Sequence, residues 1–332
     1  MSAGLGERWL RAAYAGSPWL RALRPLEALY RLAVERRARA YAEGRREVWR
    51  APVPVVVVGN ITLGGTGKSP LVAWLARHLR ERGWSPGILS RGYGGRAAHY
   101  PLCLIDETPA AACGDEPRML ADQTGVPVVV DPDRPRGARR LLEEGCDILL
   151  SDDGLQHLGL GRDLEILVVD GHRGLGNGRC LPAGPLREPA GRLASVDAVM
   201  INGELRRPLP ASGHAMTLAP TAWRPLAGGE RRAAAPPPFA GEVHAVAGIG
   251  RPARFFATLR GLGLAVRPHP FGDHHRFTAA DLAFGDDLPV VMTAKDAVKC
   301  RDLAGPGTWV LEVEAAPAPG FVEWLDTRLA AL

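Results

Sequence analysis

The segment that most constrains the fold is a glycine-rich loop placed directly after a run of valines. Residues 53–58 form a short apolar run rich in β-branched side chains, which is typical of a buried strand. The apolar spacing of residues 71–82 predicts a helix. A strand, a glycine loop and a helix in this order predict a loop that binds phosphate with its backbone N–H groups. The loop reads Gly59-Asn60-Ile61-Thr62-Leu63-Gly64-Gly65-Thr66-Gly67-Lys68-Ser69.

Each residue type in this loop suits the binding of a nucleotide. Glycines let the backbone turn its N–H groups toward phosphate oxygens, a lysine reaches the terminal phosphates, and a hydroxyl ligates magnesium. The strict phosphate-loop pattern has a glycine where this chain has Thr62, and an ordinary glycine-rich turn is the alternative. The predicted nucleotide-binding residues of the loop are Gly64, Gly65, Thr66, Gly67, Lys68 and Ser69.

Strand-like and helix-like segments alternate after this loop. Apolar runs predict buried strands at residues 126–130, 148–150 and 164–169, and such alternation favours an α/β fold with a mostly parallel sheet. Residues 228–238 are rich in alanine and proline and predict a linker, after which strand-like runs resume. The predicted organisation is an amphipathic N-terminal helical segment, a P-loop-type domain and a second, smaller α/β domain: residues 1–50, 51–235 and 236–332.

The N-terminal segment carries a helical pattern interrupted by Pro18 and Pro25. Aromatic residues and leucines interleaved with arginines suit a helix that lies at the interface of an anionic membrane, and the alternative is a helix packed on its own domain. The segment has no secretory-signal pattern, and no stretch of the chain reaches the roughly 18 uninterrupted apolar residues of a spanning helix. Four residues share one face of the helix predicted from Pro25 onward: Leu26, Leu29, Tyr30 and Ala33.

The charge balance favours anionic partners. The chain has 41 lysines and arginines against 36 aspartates and glutamates, which suits nucleotides, lipid phosphates or nucleic acid without choosing among them. Its only lysines are Lys68, Lys295 and Lys299. Where arginine has replaced lysine almost everywhere, a remaining lysine indicates a need for a compact ammonium group, although codon bias is the alternative. The five cysteines include no C-x-x-C pair, which favours reduced thiols and a cytosolic body.

Two adjacent acids follow a predicted strand in Ile148-Leu149-Leu150-Ser151-Asp152-Asp153. A phosphate loop needs an acidic residue at the end of a neighbouring strand to hold the shell of a magnesium ion. An apolar strand delivers these acids to the carboxyl edge of a parallel sheet, where ligands bind. Gln156 and His157 add polar groups directly after them.

Two further clusters are candidates for the chemistry of transfer. Asp115 and Glu116 form a second acidic pair, for which the capped start of a helix is an equal alternative. Transfer to a hydroxyl requires a base near the acceptor, and a histidine held by a carboxylate can serve. Asp273, His274 and His275 form the densest such cluster, although a surface histidine pair is usually inert. The cluster lies in the predicted second domain, so the two domains would have to close over the substrate.

Together these segments resemble the tetraacyldisaccharide 4′-kinase family of the lipid A pathway. The resemblance implies a kinase that uses ATP and Mg²⁺ to phosphorylate the 4′-hydroxyl of a tetraacyl disaccharide 1-phosphate, a lipid A precursor. It also implies a peripheral or monotopic position on an anionic membrane surface, the cytoplasmic face of the inner membrane, without nucleic acid or an obligatory protein partner. The matching segments are residues 55–70, 90–95, 114–117, 151–157, 181–189, 245–252, 273–277 and 292–300.

The resemblance assigns expected roles to residues. It pairs Asp115 with a second-domain histidine as a catalytic dyad beside Lys68, with His274 at the matching position and His275 left as an alternative. Magnesium ligands are expected at Ser69, Glu116 and Asp152. The chain departs from the family at Arg251, where asparagine is expected, and at Ala294, where glutamate is expected. The nucleotide side is expected to include Asp152, Asp153, Gln156 and His157, and the weaker substrate candidates are Tyr93, Arg134, Arg187 and Glu188.

Two other classes of protein remain as alternatives. A P-loop GTPase of the switch or metallochaperone type would need a guanine-reading motif, and Thr293-Ala294-Lys295-Asp296 does not match it because its lysine and aspartate are adjacent. A nucleic-acid-dependent ATPase would need a basic stripe with interleaved aromatic residues, whereas the arginines are spread over the whole chain.

Overall fold

The computed structural model describes residues 5–332, which form a mixed sheet of 13 strands with helices on both faces. The helices are α1 (Leu5–Ala15), α2 (Arg24–Ala42), α3 (Lys68–Glu81), α4 (Ala110–Cys113), α5 (Asp115–Thr124), α6 (Arg134–Glu143), α7 (Pro252–Gly261), α8 (Ala294–Ala297) and α9 (Pro319–Leu329). Short 3₁₀ helices span Pro18–Leu23, Ala190–Ala194 and Ala279–Leu282. The strands are β1 (Val55–Gly59), β2 (Pro86–Ser90), β3 (Leu102–Cys103), β4 (Val128–Val130), β5 (Ile148–Asp152), β6 (Leu164–Asp170), β7 (Ala198–Asn202), β8 (His214–Pro225), β9 (Arg232–Ala233), β10 (Glu242–Ala247), β11 (Ala265–Pro270), β12 (Val290–Thr293) and β13 (Thr308–Pro317).

The sheet is mostly parallel, which confirms the predicted α/β class. Its strand order is β11-β10-β12-β13-β8-β7-β6-β1-β5-β2-β4-β3, and β9 pairs with β8 beside this path. Only the pairs β13–β8, β3–β4 and β8–β9 are antiparallel within the described part of the chain. Strand β1 lies between β5 and β6, with Val57 opposite Ser151 and Glu165. The carboxyl ends of these parallel strands therefore meet at one edge of the sheet, which is where ligands of such sheets bind.

The valines of β1 are buried on both faces of the sheet, as expected for a central parallel strand. Val56 and Val58 pack in the cluster that contains the apolar face of α3. Val55 and Val57 pack in the opposite cluster, which contains apolar residues of α6. Because side chains of a strand alternate between faces, one run of valines joins the two helical layers and holds the loop that follows it.

The last helix contributes to the core of the phosphate-loop half. Phe321 and Leu325 of α9 are buried in the same cluster as the residues of α3, and His78 Nε2 of α3 lies 2.8 Å from Asp326 Oδ1. Strand β8 joins the two halves of the sheet, because it pairs with β7 on one side and with β13 on the other. The predicted boundary near residue 235 stays a prediction, and the units on either side of it share one sheet and part of one core.

The N-terminal helices attach to the sheet edge through polar groups. Tyr14 of α1 donates its hydroxyl proton to Leu63 O at 2.7 Å, and Tyr30 of α2 donates to Arg187 O at 2.8 Å. Buried Glu27 accepts from Cys180 N at 3.0 Å. Their other face is apolar and exposed: Trp19, Leu26, Leu29 and Leu32. Among residues 5–332, no helix combines the length and apolar character that crossing a bilayer requires.

Candidate active site

The phosphate loop depends on two glycines with left-handed backbone. Gly64 and Gly67 both have φ of 96°, a conformation that residues with a Cβ rarely adopt. A Cβ on Gly67 would collide with the Asn202 amide, and one on Gly64 would lie 2.8 Å from Arg173 Nη1. Gly67 caps α3, which begins at Lys68, so the positive end of the helix dipole points to the loop. This geometry suits the binding of an anion, and the predicted contacts of the loop with a nucleotide stay a prediction.

Polar groups in and beside the loop are arranged for a ligand. Lys68 Nζ lies 3.2 Å from Asn60 Oδ1 and 3.6 Å from Asp153 Oδ1. Ser69 is buried at the start of α3, and the buried hydroxyl of Thr66 has no hydrogen-bond partner. A buried hydroxyl without a partner costs free energy, so its presence indicates a group that a bound phosphate would satisfy.

The two adjacent acids have opposite protonation tendencies. Asp152 ends β5, and burial, reinforced by the negative charge of Glu116, raises its pKa to about 7. Its Oδ1 atom is buried without a hydrogen-bond partner. Burial would also raise the pKa of Asp153, but Lys68 and the two-pronged contact of Arg187, at 3.0 and 2.7 Å, hold it well below its usual range. Asp152 is therefore the acid that lacks a cation, and Asp153 is the acid that already has two.

The residues after these acids line the same side of the loop. Gln156 Nε2 donates to Asn60 O at 3.2 Å and contacts the carboxylate of Glu188. Burial, together with the charges of Arg134 and Arg91, lowers the pKa of His157 to about 3, so its imidazole is neutral. Arg187 also donates to Asn60 O at 2.6 Å, so it joins the end of β1 to Asp153.

Arg134 lies beneath this edge. It is 1% exposed and donates from Nη2 to Asp152 O at 2.9 Å, while its other two guanidinium nitrogens have no partner. Burial lowers its pKa to about 10. Its predicted contact with substrate stays a prediction, and the contact that it makes in the structure is with the strand end that carries Asp152.

A carboxylate of the phosphate-loop half and a histidine of the second half form a pair. Asp115 opens α5, and its Oδ2 lies 3.0 Å from His274 Nδ1. His275 instead lies 3.3 Å from Asp281 Oδ2 and stacks on Phe271. Burial would raise the pKa of Asp115, but the hydrogen bond from His274 and the charge of Lys299 lower it. The structure therefore brings His274, and not His275, to the predicted acid.

The two halves of the site face each other across a narrow gap. A Cβ on Gly250 would lie 3.4 Å from Gly65 N in the phosphate loop and 3.6 Å from Asp273 Oδ2. Tyr93 is 71% exposed, and its ring centre lies 5.3 Å from that of His274. The phosphate loop therefore lies close to the segment that carries His274. A substrate that contacts both would lie in the gap between them.

Three residues of the sheet edge were not predicted. Asn202 ends β7 and donates to Thr66 O at 2.8 Å, and Arg254 donates to Asn202 Oδ1 at 3.0 Å. Asp170 ends β6 and pairs with Arg251, which explains how an arginine is accommodated where the family resemblance leads to asparagine. The available signal was that Asn202 and Asp170 each close a strand at the ligand-binding edge, whereas Arg254 lies in α7 and had no such signal.

Two cavities adjoin this edge. One, of about 450 Å³, opens between the end of α2 and the loop before α6, and a second, of about 340 Å³, lies between the loop after β7 and the start of α7. The first is lined by basic and aromatic residues that include Arg37, Tyr41, Trp49, Arg134, Arg139 and His157. The second is lined by His172, Asn202, Gly203, Glu204, Arg206, Arg251, Ala253 and Arg254.

A phosphate loop with its lysine, opposite a carboxylate–histidine pair, defines the class of P-loop phosphotransferases. The sequence model of the tetraacyldisaccharide-1-P 4′-kinase family matches residues 19–330. The chain therefore belongs to this family, which confirms the resemblance drawn from its motifs.

Individual relatives cover nearly the whole chain. A Pseudomonas aeruginosa (strain UCBPP-PA14) protein named tetraacyldisaccharide 4′-kinase is 54% identical over 327 residues, which are 98% of this chain and 98% of the relative. A protein of the same name from Azotobacter vinelandii is 52% identical over 329 residues, which are 99% and 98% of the two chains. The crystal structure of Aquifex aeolicus LpxK in complex with ATP is 26% identical, covers 94% of this chain and 99% of its own, and has a TM-score of 0.78.

Proposed function

We propose that the chain transfers the γ-phosphoryl group of ATP to the 4′-hydroxyl of a tetraacyldisaccharide 1-phosphate. The observation that carries this proposal is the juxtaposition across Gly250 of the phosphate loop and the segment that holds the Asp115–His274 pair. The names of the close relatives supply the acceptor, and the ATP complex of the structural relative supports the donor. The GTPase alternative is not favoured, because the chain lacks the guanine-reading motif.

The phosphate loop holds the donor. The N–H groups between Gly64 and Ser69 and the ammonium group of Lys68 bind the triphosphate and offset the charge that develops on it. The cavity beside Asn202 accommodates the nucleoside, because it adjoins the loop through the contact between Asn202 and Thr66.

The Asp115–His274 pair takes the proton of the acceptor. Asp115 fixes His274 through Nδ1, which leaves Nε2 free to act as a base toward the hydroxyl. The acceptor oxygen forms a bond to the γ-phosphorus while the bond from that phosphorus to the β–γ bridging oxygen breaks. The proton passes to His274, and ADP leaves with the electron pair of the broken bond.

Magnesium fits the acidic edge of the site. Asp152 has an unpartnered carboxylate oxygen and a raised pKa, both expected of an acid that awaits a cation, and Ser69 and Glu116 complete the proposed ligands. Among residues 5–332, no three His, Cys, Asp or Glu side chains cluster as a metal site. Mg²⁺ keeps several waters and also binds substrate phosphates, so two carboxylates and a hydroxyl can hold it. When bound, the ion offsets negative charge on the triphosphate.

We propose that the N-terminal helices hold the site at a membrane surface. Trp19, Leu26 and Leu29 are each more than half exposed, at 55%, 53% and 65%, and arginines adjoin this apolar face. Such a face binds the headgroup region of an anionic bilayer. The hydrogen bonds of Tyr14 and Tyr30 attach the helices beside the site, so an acylated acceptor could keep its chains in the cytoplasmic leaflet of the inner membrane.

The sugar headgroup suits the larger cavity. Arg37 and Arg139 line it and provide positive charge for a 1-phosphate, and neutral His157 provides a polar wall. Tyr93, whose ring lies beside that of His274, and Arg187 and Glu188, which lie near the end of β1, are further proposed substrate contacts.

The direct test is incubation with labelled ATP and Mg²⁺ and a detergent-dispersed tetraacyldisaccharide 1-phosphate. A doubly phosphorylated lipid, resolved by thin-layer chromatography, is the expected product. GTP in place of ATP serves as the donor control and should support much less transfer. Absence of lipid phosphorylation by the folded protein, or a strong preference for GTP, would reject the proposed reaction.

A further inference from the structure

All three lysines of the chain lie at the candidate site. Lys68 Nζ is 3.6 Å from Asp153, Lys295 Nζ is 3.1 Å from Glu116, and Lys299 Nζ is 3.7 Å from Asp115. The other basic side chains among the 41 lysines and arginines are arginines. A sequence that uses arginine by default and keeps lysine only here indicates positions where a compact ammonium group is required.

Lys295 occupies a different environment from an ordinary surface lysine. It is the second residue of the short helix α8, and its Nζ lies 3.1 Å from Glu116 Oε1 of α5 and 3.1 Å from Asp273 Oδ1. Its side chain is 14% exposed, whereas those of the two carboxylates are 36% and 39% exposed. The ammonium group is thus enclosed, and its partners lie nearer to solvent.

Asp273, one of the two partners of Lys295, faces the phosphate loop. A Cβ on Gly250 would lie 3.4 Å from Gly65 N and 3.6 Å from Asp273 Oδ2, so these two atoms face each other across a gap about as wide as one side-chain atom. A terminal phosphate bound by the N–H of Gly65 would therefore approach the carboxylate of Asp273. The phosphate and the Asp273 carboxylate are both negative, so they repel each other across this gap unless a cation lies between them or beside both.

We propose that Lys295 is a further catalytic residue, whose ammonium group binds the terminal phosphoryl group of ATP from the side opposite Lys68. Glu116 and Asp273 hold the ammonium group in place before the nucleotide arrives. With ATP bound, one of its three N–H donors turns to a γ-phosphate oxygen, and the charge on the transferring group is stabilised from both sides. The lysine forms no covalent bond, and the proton of the acceptor still passes to His274. This inference rests on the proposed function.

Lys299 has different partners from Lys295, and the difference separates the roles of the two lysines. Its ammonium group lies 2.9 Å from Asp296 Oδ1, and its Nζ stands 5.0 Å from the ring centre of Phe277. Asp296 is fully buried and also accepts from Gly248 N at 3.0 Å. Lys299 is therefore a positioning residue for Asp115. Lys295 differs because its partner Asp273 lies at the gap beside the phosphate loop.

The alternative is that Lys295 only links the two halves by ion pairs. Three variants separate these roles. Lys295→Gln removes the cation, and Asp273→Asn weakens its attachment but leaves the cation present. Arg301→Gln is the matched control, because it breaks another ion pair to α5, with Asp122, at a place away from the gap. Binding of MgATP and MgADP to each variant is measured by calorimetry, and lipid phosphorylation by single-turnover kinetics.

Lys295→Gln should lower the rate of transfer by about 100-fold or more and weaken MgATP binding by roughly 10-fold, with MgADP binding within about 2-fold of wild type. Asp273→Asn should lose less than Lys295→Gln, and Arg301→Gln should match wild type. Equal losses of MgATP and MgADP affinity, or a Lys295→Gln rate no worse than that of Asp273→Asn, would overturn the proposal. The nucleotide comparison needs no acceptor, so it tests Lys295 even if the wild type fails to phosphorylate the lipid.

Discussion

The two halves of the site differ in how their polar groups are satisfied. On the phosphate-loop side, Thr66 Oγ1 and Asp152 Oδ1 are buried without partners. On the opposite side the charges are paired with one another, as in His274 with Asp115 and Lys295 with Glu116. Unpaired buried groups cost free energy unless a ligand satisfies them, whereas paired groups hold each other in position. The difference supports the proposal that the loop side binds the nucleotide and that the other side orients the groups that react with it.

The strongest test of the loop side is Lys68→Ala. The variant should lose about 1,000-fold or more in kcat and also bind MgATP less tightly, because the ammonium group contacts the phosphates in both the ground and transition states. Steady-state kinetics and calorimetry measure the two effects. Far-ultraviolet circular dichroism should match wild type, since Asp153 keeps its contact with Arg187. A variant with near-normal turnover would exclude Lys68 from the mechanism.

Substitution of the dyad histidine should slow the chemical step without weakening nucleotide binding. His274→Gln should lower kcat by about 100- to 1,000-fold and leave the Kd of MgATP unchanged, because a general base acts only on the acceptor proton. His275→Gln is the matched control and should stay close to the wild-type rate, since His275 bonds to Asp281 instead. If the two substitutions had equal effects, the distinction between the neighbouring histidines would be lost.

The shared core predicts that the two halves unfold together. Leu325→Ala in α9 should lower the free energy of unfolding by about 3 kcal/mol, because Leu325 is buried among residues of the phosphate-loop half. The exposed Glu323 of the same helix gives the control, Glu323→Ala, which should change it by less than about 0.5 kcal/mol. Urea denaturation followed by fluorescence should show one transition in each case. Two separate transitions in the wild type would favour independent halves.

The smallest expected effect concerns acid stability on the loop side. The pKa of His157 is lowered to about 3, so the folded protein keeps it neutral while the unfolded chain binds a proton below its usual value near 6.5. The free energy of unfolding therefore decreases as the pH falls below about 6.5. Between pH 7.5 and pH 5.0 the wild type should lose about 1 kcal/mol more than His157→Gln, a value reduced for partial exposure. Urea denaturation at both pH values measures it, and parallel losses would contradict the buried, neutral histidine.

The sequence predicted features built from contiguous residues more completely than contacts between distant residues. The loop and its helix followed from residues 53–82, and the α/β class followed from the alternation of strand-like and helix-like segments after them, because local backbone geometry and burial pattern specify such units. Strand β11 was not predicted, since Pro268 and Pro270 interrupt its pattern. Both prolines are tolerated because β11 is an edge strand, with one unpaired side.

The sequence by itself determined the phosphate loop, the parallel sheet around it and the set of acids and histidines from which a site could be drawn. Only the tertiary structure decided that His274, and not His275, meets Asp115 across 159 positions, that Lys295 joins Glu116 to Asp273, and that α9 packs in the core of the phosphate-loop half. The reason is that neighbours along a strand or loop are set by local dihedral angles and side-chain periodicity. Contacts between distant segments depend instead on how the sheet is ordered and how its helices pack, which no short pattern encodes.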